Sequence, residues 1–220
     1  MGTKRIAVVL AGCGVMDGSE IHEAVATLLA LDQAGARCQV FAPDKAQIDV
    51  VDHVKKKPMA ETRHALTEAA RIARGHVLPL DQLRMAEWDA VILPGGFGAA
   101  KNLVDYAVKG AGCGIDANVD RVLKEAHALR KPIGAMCIAP VVVARALGAD
   151  HHPVVTIGTD RDTARDIEAM GAKHARASVG EIVVDEANRV VTTPAYMLAT
   201  GIGEVWTGVS KLVQRVVSMA

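Results

Sequence analysis

The chain has 220 residues, half of them hydrophobic and 3% aromatic, with 25 basic and 25 acidic side chains and a formal net charge of zero. That length supports one sizeable core, and the balanced charge lacks the basic excess expected of a nucleic-acid or membrane-surface binder. No apolar run approaches the ~20 residues of a membrane span. The four cysteines form neither a CxxC pair nor a metal-type cluster with histidine. They read as reduced thiols in a cytoplasmic protein.

With so few aromatics, the core must be built from Val, Ile, Leu and Ala, which suits a buried parallel sheet covered by helices. Taken in chain order, Arg5 to Ala11 reads as a buried strand ending in Gly12-Cys13-Gly14. Ile21 to Ala34 has apolar residues near helical spacing, with Gly35 as its stop. Cys38 to Ala42 is a second strand, halted by Pro43-Asp44. Lys55-Lys56-Lys57 reads as a solvated loop. Thr62 to Arg74 is predicted as a helix ending at Gly75, and Asp89 to Leu93 as a strand entering Pro94-Gly95-Gly96. The glycine-bearing stretch from Lys109 to Asn118 is predicted as a long loop near the site. Val119 to Leu129 follows as a helix.

Pro132 to Met136 is predicted as a strand that ends at Cys137, and Pro140 to Leu147 as a helix ended by Gly148. Val141-Val142-Val143 in that helix suits either core or a dimer surface. Later strands are expected at Val154 to Ile157, Ala172 to Ala177 and Val190 to Thr193, and helices at Thr163 to Met170 and Met197 to Val217. Repeated βα units with short glycine-containing connections imply an α/β, doubly wound, mostly parallel sheet with helices on both faces. Nothing divides the chain, so residues 1–220 read as a single domain. Ligands of such sheets bind at the carboxyl ends of the strands. That places the loops at 12–23, 94–102, 136–140 and 158–163 together.

Three motifs there can carry chemistry. Cys137 lies between a strand and a helix, where helix-terminal N–H groups would favour the nucleophilic thiolate. Pro140 fits the first helical turn, and the Ile138 N–H would face an oxyanion formed beside the sulfur. Alternatively, Cys137 is a small buried hydrophobe. In Pro94-Gly95-Gly96-Phe97-Gly98, glycines let the backbone approach a ligand and complete an oxyanion hole; a plain tight turn is the alternative. Lys101 beyond it is either a site cation or a solvated helix residue. In Asp17-Gly18-Ser19-Glu20-Ile21-His22-Glu23, one carboxyl could serve as general acid/base. Asp17 as N-cap with Glu20 at the third position would also explain these acids. Such capping accounts less well for Glu23, the stronger catalytic candidate. His22 has no obvious partner. Cys13 could face the same pocket or simply pack.

Together these motifs resemble the ThiJ/PfpI superfamily of class I glutamine amidotransferase-like folds, and more narrowly its ElbB group, which is associated with isoprenoid biosynthesis. The resemblance rests on AGCGVMDGSEIHEAV at 11–25, FAPDK at 41–45, ETR at 61–63, PGGFGAAKNL at 94–103, MCIAP at 136–140, IGTD at 157–160 and VVTTPAYMLA at 190–199. It implies a flavodoxin-like fold, a homodimer, Cys137 as nucleophile, Glu23 as its acidic partner, and Gly96 and Ile138 as oxyanion-hole amides. It also implies cofactor-independent, glyoxalase III-like lyase chemistry on a small dicarbonyl, glyoxal to glycolate, or related deglycation. One departure is that Ile138 stands where the superfamily's proteases carry histidine after the nucleophile. The histidine that several deglycases carry after the next strand is likewise replaced, by Gly158-Thr159-Asp160. That argues against peptidase and glutaminase activity. It leaves a redox-sensing or regulatory role for Cys137 as the alternative to catalysis.

Overall fold

The computed structural model describes residues 2–220. Its centre is a seven-stranded sheet. The strands are β1 (Arg5–Val9), β2 (Arg37–Ala42), β5 (Val77–Pro79), β6 (Ala90–Leu93), β7 (Ile133–Met136), β10 (Val183–Asp185) and β11 (Val190–Thr193), in the order β10-β11-β7-β6-β1-β2-β5. Every pairing is parallel except β10 with β11 at one edge. The flavodoxin-like, mostly parallel architecture expected from the sequence is therefore present.

Side chains of β1 alternate between two cores, as the period of an extended strand requires. Ile6 and Val8 pack with α1 (Ile21–Gln33), α2 (Ala65–Ile72) and α7 (Ile202–Met219). Ala7 and Val9 pack with α4 (Ala117–Ala128), α5 (Pro140–His151) and α6 (Arg161–Ala169). The Val141-Val142-Val143 run is wholly buried and belongs to the second core, so it is packing and not a dimer surface.

The departures are local. The strands expected at 154–157 and 172–177 shrink to β8 (Val154–Val155) and β9 (Lys173–His174), which pair in a small sheet of their own. Consequently the loop at 158–163 does not leave a main-sheet strand. Gly158 instead abuts Leu198 and Pro194 beyond β11. Between β2 and α2 the chain makes a short hairpin, β3 (Val51–Asp52) with β4 (Lys57–Pro58), whose turn carries exposed Lys55 and Lys56, while Lys57 opens β4. The long loop predicted at 109–118 is short helical turns. It begins at the end of α3 (Tyr106–Lys109) and continues through a turn at Gly110–Gly112 into α4. Together with α3 it packs on α6, Tyr106 Oη donating to Asp166 Oδ2 at 2.8 Å and Cys113 lying against Met170. The last helix begins at Ile202, because a tight turn at Ala195–Met197 occupies its expected start.

Gly148 does not end α5, which runs on to His151. The glycine is there for close packing: a Cβ at 148 would collide with the Met170 carbonyl.

Candidate active site

Cys137 follows β7 on a turn that leads into α5, with Pro140 as the first helical residue. Its φ is +57°, a left-handed backbone that a non-glycine residue adopts at a cost. The turn is pinned because Cys137 N donates to Thr193 O at 3.0 Å and Ala139 N to Met136 O at 2.9 Å. This geometry puts the thiol at the carboxyl edge of the sheet with only 8% of the residue exposed. The backbone N–H groups of Gly96 and Ile138 both act on the sulfur, favouring its anion. The two amides that the resemblance implies as an oxyanion hole thus converge on one atom.

Glu23 lies in the first turn of α1 and is fully buried. Its side chain lies beside that of Cys137, and each acts on the other's proton affinity. Oε2 accepts from Gly95 N at 2.9 Å and Oε1 from Tyr196 N at 3.2 Å. Glu20 is the N-cap of α1: its Oε2 accepts from Glu23 N at 2.7 Å, and its own N donates to Gly95 O at 3.0 Å. The capping reading therefore holds for a different residue than expected. Asp17 instead accepts from Val51 N at 2.7 Å, tying the hairpin segment to the loop after β1. Gly95 has no room for a side chain, since a Cβ there would lie 2.5 Å from Cys137 Cβ and 2.7 Å from Glu23 Oε2. Gly96 sits at φ +92°, and a Cβ there would collide with the Glu20 amide and the Gly18 carbonyl.

The electrostatics correct the expectation of an anionic sulfur. Burial pushes the Cys137 thiol well above its ordinary range, and the charge of Glu23 adds to this. The Gly96 and Ile138 N–H groups oppose the rise without overcoming it. Burial, then the neighbouring Glu20, pushes the Glu23 carboxyl up to about 8, against the Tyr196 and Gly95 amides. A dry pocket disfavours both anions, so near neutral pH the pair holds both protons, and the carboxyl is the first to release one.

Two expected members stand apart. Lys101 is neither a solvated helix residue nor a cation on the sulfur. It donates to Met16 O at 2.9 Å and Asp49 Oδ2 at 2.7 Å and so pins the loop after β1. The cavity of about 250 Å³ that it borders is lined by Lys45, Ile48 and Asp116, and Cys137 is not among its lining residues. Cys13 is partly exposed. Burial and then Glu68 push its thiol up, with Arg71, Asp17 and Arg63 as the other charges acting on it. No hydrogen bond joins it to Cys137 among the described residues.

Tyr196 was missed from the sequence. Its backbone amide holds Glu23, and its hydroxyl meets His22 Nδ1 at 2.7 Å, giving that histidine a partner. The preceding Ala195 has φ +42°. Only the PAY segment within VVTTPAYMLA hinted at a special turn there. Among the described residues no group of His, Cys, Asp and Glu is arranged to hold a metal ion. Nor is any helix long and apolar enough to cross a membrane.

Comparison with known proteins agrees with this fold. Human glutamine amidotransferase-like class 1 domain-containing protein 3, mitochondrial, is 48% identical over 98% of this chain and 83% of its own length. The rat ES1 protein homolog, mitochondrial, is 46% identical over 98% of this chain and 84% of its own. The crystal structure of an isoprenoid biosynthesis protein with amidotransferase-like domain from Ehrlichia chaffeensis superposes with a TM-score of 0.91 at 38% identity, covering 98% of this chain and 100% of that one. Drosophila melanogaster DJ-1beta shares the fold alone, at a TM-score of 0.55 and 17% identity over 100% of this chain and 96% of that one. The model of the DJ-1/PfpI family matches residues 4–199, and the chain belongs to that family.

Proposed function

We propose that this protein is a cofactor-independent glyoxalase-type lyase that converts glyoxal, or a similar small dicarbonyl, to a 2-hydroxy acid. The observation that carries the reading is the buried, adjacent Cys137–Glu23 pair, with the Gly96 and Ile138 amides acting on the sulfur. In the reactive form Glu23 is a carboxylate. It takes the thiol proton as the sulfur adds to an aldehyde carbon, and passes that proton to the new alkoxide, giving a hemithioacetal. It then removes the hydrogen from that carbon and returns a proton to the adjacent one through an enediol, leaving a thioester of the hydroxy acid. Water cleaves the thioester, releasing the acid and restoring the thiol. The amides steady negative charge on oxygen at each stage. Because Glu23 must be ionised to start, turnover is expected to rise with pH toward about 8.

The test is glyoxal consumption, with product identified by NMR, by wild type and Cys137→Ala. Turnover in the wild type that vanishes in the variant supports the reading; equal rates in both would refute it. A second reading, a redox-sensing thiol in a regulator tied to isoprenoid metabolism, is favoured by one observation: among the described residues no histidine hydrogen-bonds Cys137. Sulfinate formation at Cys137 under mild peroxide, with no glyoxal turnover, would select it. A homodimer fits the exposed stripe of Ile21, Val25 and Leu29 along α1, at 42%, 49% and 45% exposure; light scattering tests it. The free state of all four cysteines suits the cytoplasm, while the names of the curated relatives place those proteins in mitochondria.

A further inference from the structure

The acid that caps α1 has a second consequence. Glu20 is packed directly against the reactive pair: its amide bonds to Gly95 O, its Oε2 holds Glu23 N, and its backbone abuts Gly96. Its carboxylate acts on both Glu23 and Tyr196, raising the proton affinity of each. Among the described residues no lysine or arginine forms an ion pair with it. The nearest base is His22, whose Nδ1 lies 4.0 Å from Glu20 Oε1 but is engaged by the Tyr196 hydroxyl at 2.7 Å. Lys101 is paired with Asp49, Arg63 with Glu61, and Arg71 with Glu68. Glu20 itself is 7% exposed, so its field is little screened by salt or water.

We infer that Glu20 is a specificity-determining residue, whose negative charge admits uncharged carbonyl compounds to Cys137 and turns away those bearing a carboxylate or phosphate. This rests on the reading of Cys137 as the reactive group, and it adds a class of excluded substrate: 2-oxo acids and sugar phosphates.

The probes are iodoacetamide and iodoacetate, which alkylate the same sulfur with loss of iodide and differ in charge. Their rates at Cys137 are followed by site-resolved peptide mass spectrometry at pH 7.5, with 2-mercaptoethanol as the unbiased reference thiol. The expected preference for iodoacetamide exceeds that of the reference by about tenfold or more, the scale of one carboxylate acting across a few ångströms of protein. Glu20→Gln keeps a carbonyl oxygen to cap Glu23 N and should bring the ratio back toward the reference. Independently of any variant, the wild-type preference should persist in added salt, because a buried carboxylate is little screened, whereas a preference that salt abolishes would assign the repulsion to surface charges and overturn the inference. A wild-type ratio equal to the reference, a ratio unchanged in Glu20→Gln, or failure of both reagents to label Cys137 would each overturn the inference. Glyoxal turnover measured on the same samples separates the two claims. Turnover with unselective alkylation removes this inference alone. Selective alkylation without turnover removes the glyoxalase reading and leaves the charge filter standing.

Discussion

Replacing Glu23 with Gln interrogates the buried carboxyl through folding rather than through turnover. Glu23 is wholly buried, and its proton affinity is raised from an ordinary value of 4.5 to about 8. Between those values the folded protein keeps a proton that the unfolded chain has released, so stability falls as pH rises through this window. Below it, both states are protonated and the group's contribution is fully present. The slope is about 1.4 kcal/mol per pH unit, so from pH 5 to pH 8 the wild type loses about 4 kcal/mol through this one side chain. The Cys137 thiol, pushed well above its usual range, stays protonated across the same interval. Gln has nothing to titrate, but it turns an NH₂ toward one of the two amides at Gly95 and Tyr196, a constant cost of about 1–3 kcal/mol. Glu23→Gln should therefore be the less stable protein at pH 5 and close the gap, or overtake the wild type, by pH 8. Urea denaturation of both proteins at pH 5, 6, 7 and 8 measures this. Stability curves that run parallel would refute the reasoning, because they would mean that the carboxyl titrates alike in the folded and unfolded chain.

Two further substitutions test packing that the sequence does not advertise. Gly148→Ala should lower stability by about 1–3 kcal/mol, because its Cβ meets the Met170 carbonyl. Helix propensity alone would favour the alanine by about 1 kcal/mol, so a raised melting temperature would show the α5–α6 contact to be loose. Asn102 is 1% exposed; it donates to Ala11 O and Asp17 O at 2.9 Å each and accepts from Ile48 N at 3.0 Å. Asn102→Ala should cost several kcal/mol, at about 1–3 for each polar group left without a partner. It should also hasten proteolysis between Lys45 and Lys57; an unchanged digestion pattern would count against Asn102 as the tie between these loops.

The apolar runs of β1, β6 and β7 were readable because each strand is buried on both faces. Strands β5 and β10, and the β3–β4 hairpin, span two or three residues each, too few for any period to emerge. Val154 to Ile157 is apolar enough for a central strand, yet it pairs only with β9; composition carries burial but not pairing partner. At the site, the elements that bring Cys137, Gly95, Gly96, Ile138 and Glu23 together were legible from glycines and strand ends. The protonation of the pair was not. A cysteine before a helix predicts a stabilised thiolate only if water or a cation also reaches it, and complete burial reverses the sign. Tyr196 escaped because its contribution to Glu23 is a backbone amide, which every residue but proline possesses. Lys101 was misjudged because its partner, Asp49, lies in a segment whose fold the sequence left undefined.

The N–H groups of Gly96 and Ile138 rest on a sulfur rather than on empty space. In the proposed reaction, an electrophile arriving there would find its donors aligned but engaged. As the new bond to sulfur draws off electron density, the sulfur becomes a poorer acceptor while the incoming oxygen becomes a better one. The same two donors can then pass from one atom to its neighbour with little movement of the chain. Neighbouring peptide units of a single turn, at Gly95 and Gly96, grip the acid and the sulfur. Any displacement of that turn would thus shift the carboxyl and the sulfur in step and preserve their spacing.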